Sequence, residues 1–334
     1  MDNLIQLKNL NMSFEKKGGL LKGVKRIEVL RDINLTIGAG EIVAVVGESG
    51  CGKTTVGKII TGLLKPTGGE VLFENKNLYS FNLTGGSRTR ELVQFVQQDS
   101  YAALNPVKTI WQSMLAPVQH HYKHISREEA ETKIKDIFNT VGLTPPELYL
   151  EKYPHMLSGG QRQRILMARA ISLEPKLIVA DEPVSMIDVS MRLSILNMMC
   201  ELNEKLGISF VYITHDLATA KYIAKNGSIC VMYLGEVVEY GKVNEILQSP
   251  RHPYTQALLS AVPVPDPKIA KRDKPIPIRS MEVSSLENRT EGCVFRDRCP
   301  YAAEECASKI SYAEFDGGTL VKCCKTEEIP AWTK

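Results

Sequence analysis

The sequence predicts an α/β fold with four parts: a mostly parallel core sheet, an N-terminal antiparallel β lobe, a helical subdomain, and a small cysteine-rich C-terminal extension. Three observations carry this expectation. Apolar runs at Ile42-Val43-Ala44-Val45-Val46, Leu177-Ile178-Val179-Ala180 and residues 208–213 read as strands buried on both faces, the pattern of a parallel sheet covered by helices. These runs alternate with segments of helical period, and strand, helix, strand alternation gives a parallel sheet. Five of the eight cysteines (Cys293, Cys299, Cys306, Cys323 and Cys324) fall in the last 42 residues, so the end of the chain differs in character from the rest.

Taken in order, Ile33, Leu35 and Ile37 alternate with Asp32, Asn34 and Thr36, the two-residue rhythm of a half-buried strand in an antiparallel lobe. Glu15-Lys16-Lys17-Gly18-Gly19 reads as the turn between two such strands. Phe14 before it is either a core aromatic or a ring that stacks on a nucleotide base. After the 42–46 run, Val56, Ile59, Ile60 and Leu63 form one helix face, and Lys65-Pro66-Thr67-Gly68-Gly69 breaks that helix. A strand over residues 92–96 runs into Gln97-Gln98-Asp99. Ser126-Arg127-Glu128-Glu129 is a capping box, followed by Ala130, Ile134, Ile137, Phe138 and Val141 at helical spacing up to Gly142. A mainly helical subdomain over about 100–170 fits this texture. Ser158-Gly159-Gly160-Gln161 opens another capped helix, whose two glycines make sense where backbone must approach something closely. Beyond Gly241, Pro263, Pro265, Pro267, Pro275 and Pro277 alternate with Lys268, Lys271, Arg272 and Lys274, a linker composition. Residues 1–250 are therefore expected to form one large domain and 251–334 an extension with a proline-rich linker.

Lys and Arg total 41 against 38 Asp and Glu, a net charge of +3, too balanced to imply a nucleic-acid partner. No apolar run reaches the length of a membrane span, and Met1-Asp2-Asn3 lacks the basic and apolar regions of a signal peptide, which points to a cytosolic protein. In a reducing compartment, crowded cysteines point to metal before disulfides.

The chemistry centres on Gly47-Glu48-Ser49-Gly50-Cys51-Gly52-Lys53-Thr54, with Thr55 next, between a strand and a helix. This is a phosphate-binding loop: Gly47 and Gly52 let the backbone curl so that its N–H groups point into one cavity, and the helix start adds its positive end. Lys53 reaches the β- and γ-phosphates, and the Thr54 hydroxyl ligates Mg²⁺. Asp181, at the end of the 177–180 run, suits a carboxylate that holds Mg²⁺, and Glu182 beside it suits the general base for the attacking water. Gln98 is a strand-end amide that binds Mg²⁺ or the attacking water, or else caps a loop. His215 ends the 208–213 strand, as either a structural or a catalytic histidine.

In order and spacing, Gly47 to Thr54, Gln98, Leu157-Ser158-Gly159-Gly160-Gln161, the 177–182 segment, Ser185-Met186-Ile187-Asp188 and His215 resemble ABC-type P-loop ATPases, over about residues 4–250. The resemblance implies the nucleotide-binding subunit of an ABC transporter. Two such subunits would sandwich two ATP molecules, with Leu157 to Gln161 as the signature that contacts the ATP held by the opposing subunit. It implies Ser185 and Asp188 in an interface D-loop that departs from the usual pattern at Met186. It also implies Gln98 in the loop linking nucleotide and membrane subunits, His215 as the γ-phosphate contact and Phe14 as the adenine-stacking aromatic. The implied partners are a second ABC ATPase subunit, identical or paralogous, two transmembrane permease subunits, and indirectly an extracytoplasmic solute-binding protein, at the cytoplasmic face of the membrane.

Arg251-His252-Pro253-Tyr254-Thr255-Gln256-Ala257-Leu258-Leu259, Asn105-Pro106 and the tail are similar to the oligopeptide and dipeptide importer branch, which also contains nickel and oligosaccharide importers. An ATPase that powers di- or oligopeptide import is the function this implies. Non-transport ATPases of DNA repair or translation are the alternative, but the long coiled-coil insertion and the second cassette of those proteins are missing here. Cys293, Cys299, Cys306 and Cys323 are separated by five, six and sixteen residues, a spacing that leaves an iron–sulfur cluster, zinc or free thiols open on chemistry alone. The resemblance implies a [4Fe–4S] cluster on Cys293, Cys299, Cys306 and Cys323, with Cys324 the ambiguous neighbour. Cys51, Cys200 and Cys230 read as packing or loop residues.

Overall fold

Long alternating strands and short continuous ones sort the chain into two sheets. The computed structural model describes residues 3–16, 25–79, 91–262, 278–282, 285–289 and 291–332. The expected proline-rich linker at 263–277, and Lys17, Gly18 and Gly19 of the expected turn, lie outside the described residues.

The alternating N-terminal strands β1 (Asn3–Lys16) and β2 (Lys25–Gly38) pair antiparallel, with Leu7 opposite Leu35 and Leu10 opposite Ile33. Strand β3 (Ile42–Val46) follows, and β4 (Gly68–Phe73) and β5 (Lys76–Asn77) then complete a four-stranded sheet of order β2-β1-β4-β5. This is the antiparallel lobe that the alternation predicts.

The second sheet uses β3 with β6 (Val93–Val96), β7 (Leu177–Asp181), β8 (Ser209–Thr214), β9 (Ser228–Tyr233), β10 (Glu236–Lys242), β11 (Ala313–Phe315) and β12 (Thr319–Val321). Its order is β11-β12-β10-β9-β3-β8-β7-β6. The five strands from β9 to β6 are parallel, and β10, β12 and β11 add antiparallel at one edge. Every residue of β3, β7 and β8 is buried, as their unbroken apolar character requires. The C-terminal ends of β3, β6, β7 and β8 therefore open on one side of the sheet, where the phosphate loop, Gln98, Glu182 and His215 follow them.

The helix Lys53–Ile60 packs Val56, Ile59 and Ile60 inward. It stops at Ile60, and Gly62 turns the chain with φ 71°, so Leu63, expected on the same face, is 62% exposed. Between β6 and β7 run the helices Ile110–His121, Arg127–Thr140 and Gly159–Ile171, each opened by a capping box, at Thr109/Gln112, Ser126/Glu129 and Ser158/Gln161. Ala130, Ile134 and Phe138 are fully buried on the inner face of the second of these helices and join one apolar core with Met114, Val118 and Ile165. Among the described residues no helix is long and apolar enough to cross a membrane.

The last strands of the chain join the large sheet. In β12, Val321 lies opposite Glu239 and Leu320 opposite Tyr240. Lys322 Nζ reaches the buried Glu236 carboxylate at 2.8 Å, and the Tyr312 hydroxyl donates to the Val237 carbonyl at 2.8 Å.

Candidate functional site

Strand β3 ends at Val46 and the chain curls at once. Gly47 has φ 153°, and a Cβ there would lie 2.1 Å from the Met232 carbonyl oxygen, so only glycine lets the loop pass this close to β9. Gly52, at φ 100°, starts the helix Lys53–Ile60 with no side chain capping it, which leaves first-turn N–H groups open to an anion. Lys53 is 6% exposed, and its Nζ donates to the carbonyls of Gly47 at 2.7 Å and Glu48 at 2.9 Å. The ammonium is thus parked inside the curl.

The loop borders a cleft of about 470 Å³ lined by Phe14, Ser49, Gly50, Gly52, Lys53, Thr54, Thr55, Gln98, Glu182 and His215, together with Val29 and Leu286. Phe14 is 42% exposed and faces this cleft from β1. Asp181 lies beneath it, its carboxylate hydrogen-bonded to the Thr54 hydroxyl; burial pushes the Asp181 carboxyl up, and that bond opposes the push. Glu182 has φ 44°, and its N–H is tied to the Ile213 carbonyl at 2.9 Å. This strained turn at the end of β7 aims its carboxylate between two partners: Gln98 Nε2 at 2.9 Å and His215 Nδ1 at 3.0 Å. Gln98 also reaches Ser185 Oγ at 3.3 Å, and Ser185 Oγ donates to the Glu182 carbonyl at 2.9 Å. A carboxylate held by an amide and an imidazole, next to a second carboxylate on a threonine hydroxyl, is an arrangement suited to aligning a water at a phosphate.

Other predicted residues take different positions. Glu48 and Cys51 belong to the loop, but their side chains turn away from the cleft: Cys51 is 3% exposed, and the Glu48 carboxylate points at Arg298. Ser158, Gly159, Gly160 and Gln161 do not line the cleft. They open the helix Gly159–Ile171, where a Cβ on Gly159 would stand 3.3 Å from the Met186 carbonyl oxygen. Asp188 is exposed at the start of the helix Val189–Leu206, and its side chain makes no capping bond.

Residues that sequence reasoning missed come mostly from the tail and its approach. The Tyr254 hydroxyl accepts the Glu48 N–H at 2.9 Å, Arg298 grips the Glu48 carboxylate, and Leu286 and Val29 help to wall the cleft. Nothing local in the sequence marks Arg298, Leu286 or Val29 for the cleft, and the motif that contains Tyr254 does not show that its hydroxyl reaches the phosphate loop.

A second site lies in the tail. Cys293, Cys299, Cys306 and Cys323 line one cavity with His252, Arg296 and Tyr301. All four are free thiols, and the Cys324 Sγ sits 3.7 Å from the Cys306 Sγ. Among the described residues no three His, Cys, Asp or Glu side chains stand in ligating positions for a metal. Burial pushes the Cys293 thiol up to about 12 and the Cys299 thiol up to about 11, so a group that binds them as thiolates must displace protons. His252 Nδ1 accepts the Tyr254 N–H at 3.1 Å, and the neutral ring then carries its proton on Nε2. Burial holds this imidazole down at about 3, hence neutral, and its buried Nε2 has no partner in the structure.

Fold and site together define a P-loop nucleotide-binding protein with the motif order of the ABC class. The family described as ABC transporter matches residues 30–185, and that described as Oligopeptide/dipeptide transporter, C-terminal region, matches residues 238–306. The oligopeptide transport ATP-binding protein OppF of Salmonella typhimurium is 39% identical over 329 residues, 98% of this chain and 97% of that protein. The dipeptide transport ATP-binding protein DppF of Escherichia coli is 38% identical over 325 residues, 97% and 95% of the two chains. Among solved structures, the dimeric ATP-binding cassette MJ0796 in a post-hydrolysis state with ADP and Pi aligns with a TM-score of 0.63 and 31% identity, over 72% of this chain and 98% of that one. The chain belongs to the ABC transporter family, in the group of oligopeptide and dipeptide transport ATP-binding proteins.

Proposed function

We propose that this chain is the ATP-hydrolysing subunit that powers import of di- or oligopeptides through a membrane ABC transporter. The observation that carries the hydrolytic part is the Glu182 carboxylate clasped between Gln98 and His215, beside the Asp181–Thr54 pair. Backbone N–H groups of Gly47 to Thr55 cradle the phosphates, Lys53 moves from its carbonyls to the β- and γ-phosphates, and Phe14 stacks on the base. Thr54, Gln98 and Asp181 hold Mg²⁺, which when bound neutralises charge on the phosphate oxygens. Glu182 takes the proton of the attacking water, and His215 contacts the γ-phosphate. Ser158, Gly159, Gly160 and Gln161, together with Ser185 and Asp188, serve the ATP of a second ATPase subunit, which closes onto this one. Residues 1–250 act as the nucleotide-binding domain, and 251–334 as its extension. The helical segment of about 100–170 transmits closure to two transmembrane subunits at the cytoplasmic face, fed by an extracytoplasmic solute-binding protein.

The test is Glu182→Gln in the purified chain. It should retain ATP binding and accumulate closed dimer while turnover falls by about 10²- to 10⁴-fold, the worth of a general base. Near-normal hydrolysis would remove Glu182 from that role.

The tail site is proposed to hold a [4Fe–4S] cluster on Cys293, Cys299, Cys306 and Cys323. Two features fit the group: the four thiols border one cavity, and the His252 Nε2–H beside it is a buried donor with no acceptor in the structure. Anaerobically purified protein should be brown, with about four irons and four sulfides per chain. Stoichiometric zinc without visible absorbance would refute it.

A further inference from the structure

We propose that Arg298 is a positioning residue for the ATP site, acting from the cysteine-rich tail through Glu48 on Lys53. The inference rests on the phosphate-loop reading above. Arg298 Nη1 lies 2.8 Å and 2.9 Å from the two Glu48 carboxylate oxygens and 3.3 Å from the Tyr233 hydroxyl, while its Nε donates to the Ser280 carbonyl at 3.3 Å. The arginine is 7% exposed, and its guanidinium sits 5.6 Å from the Tyr233 ring and 5.7 Å from the Phe295 ring. Its backbone is held as firmly: the Arg298 N–H donates to the Phe295 carbonyl at 3.0 Å, and its own carbonyl accepts the Arg279 N–H at 2.7 Å. The head group therefore has one place to be.

What it grips matters for the phosphate loop, because every polar group of Glu48 is committed. The N–H goes to the Tyr254 hydroxyl, the carboxylate to Arg298, and the carbonyl accepts Lys53 Nζ at 2.9 Å. The same carbonyl accepts the Cys51 N–H at 3.3 Å, so a shift of the Glu48 side chain acts on the residue whose oxygen ties the loop turn to the Lys53 ammonium. Arg298 also sits immediately before Cys299, on the segment that carries the first two thiols of the tail cavity. The state of that cavity and the pose of the phosphate loop are thus joined through one ion pair whose arginine is buried and whose glutamate is partly buried, so that salt screens it less than a surface pair.

The experiment uses the full chain and compares Arg298→Met, Arg298→Lys, Glu48→Gln and the double variant Arg298→Met/Glu48→Gln. ATP affinity is read with a fluorescent ATP analogue and by competition with ATP, alongside nucleotide-free thermal unfolding and near-UV circular dichroism. Arg298→Met should fold with wild-type spectra and bind ATP about tenfold more weakly, the scale of one charge-assisted pair. Arg298→Lys should recover part of the loss, and the double variant should be no weaker than Arg298→Met, because the two residues act as a unit. Wild-type affinity in Arg298→Met, or a double variant whose losses multiply, would overturn the proposal. Should Arg298→Met not fold, Glu48→Gln carries the test: it keeps both backbone bonds, and unchanged ATP affinity in it overturns the proposal equally. Lys53→Ala separates the two readings. If it loses ATP and Arg298→Met does not, only the positioning role fails; if it binds ATP normally, the phosphate-loop reading fails as well.

Discussion

Alanine at Gly47 should be far more damaging to ATP binding than alanine at Gly50, although both glycines sit in the same loop. At Gly47 the added Cβ would lie 2.1 Å from the Met232 carbonyl oxygen, where real Cβ contacts stay beyond about 3.0 Å, and 3.0 Å from the Cys51 Sγ. Roughly 0.9 Å has to be made up by backbone on both sides, and β9 is fixed by its pairing with β3 and β10. The loop must move, and a displacement near 1 Å at a reacting centre costs about 10²-fold in turnover. At Gly50, φ is 80° and nothing stands within 4 Å, so alanine meets only the left-handed penalty of about 1–2 kcal/mol. That is roughly tenfold in affinity if all of it falls on the bound state. Steady-state hydrolysis, beside titration of each variant with a fluorescent ATP analogue, should place Gly47→Ala about 100-fold or more below wild type in turnover with weakened ATP binding, and Gly50→Ala within about tenfold in affinity. Equal losses in the two, or ATP binding by Gly47→Ala at the wild-type level, would refute the steric reasoning.

Further outcomes test how the tail is held. Lys322→Met leaves the Glu236 carboxylate, 2% exposed, without its 2.8 Å partner and facing the more distant Arg31, at 3.6 Å, and Arg289; it should cost about 3 kcal/mol in urea unfolding, whereas Lys322→Met with Glu236→Leu should recover most of that. Glu28 ties Arg31 and the buried Arg289, and although burial pushes its carboxyl up, the two arginines outweigh this and hold it below the usual value of 4.5. The unfolded chain binds the proton first as pH falls, so this contribution is present above pH 4.5 and is lost as pH drops through the lowered value. Glu28→Gln should be about 1 kcal/mol or less below wild type at pH 7, the carboxylate being partly solvated, and the gap should close in urea titrations below pH 4.5.

Features encoded over a few consecutive residues were legible in the sequence. The 42–46 and 177–180 runs, the loop from Gly47 to Thr54 and the capping boxes at Ser126 and Ser158 state their structure locally, and all appear as read. Leu63 shows the limit of periodicity: its spacing suits the helix face, but Gly62 ends the helix before the side chain can use that spacing. The β12 strand is three residues long, too short for any alternation to register, and takes its structure from the edge of β10. The hold of Arg298 on Glu48 joins residues 250 apart, and the Tyr254 contact joins residues 206 apart. Such pairs are fixed by the fold as a whole, so no window of sequence displays them. The same holds for the thiol cavity, where the sequence gives the crowding of cysteines but not the orphaned His252 donor among them.

The addition of β12 and β11 to the large sheet has a consequence for solubility. A chain stopped at residue 250 would end the sheet at β10, a seven-residue strand with Val237 and Val238 buried, whose outer row of N–H and C=O groups would have no protein partner. Unpaired strand edges of that kind can template strand addition by other copies of the chain. Among the described residues the outermost strands of this sheet are β11 and β6, three and four residues long, which offer too short a ladder for another molecule to extend. The tail that carries the thiols therefore also hems the sheet against self-assembly.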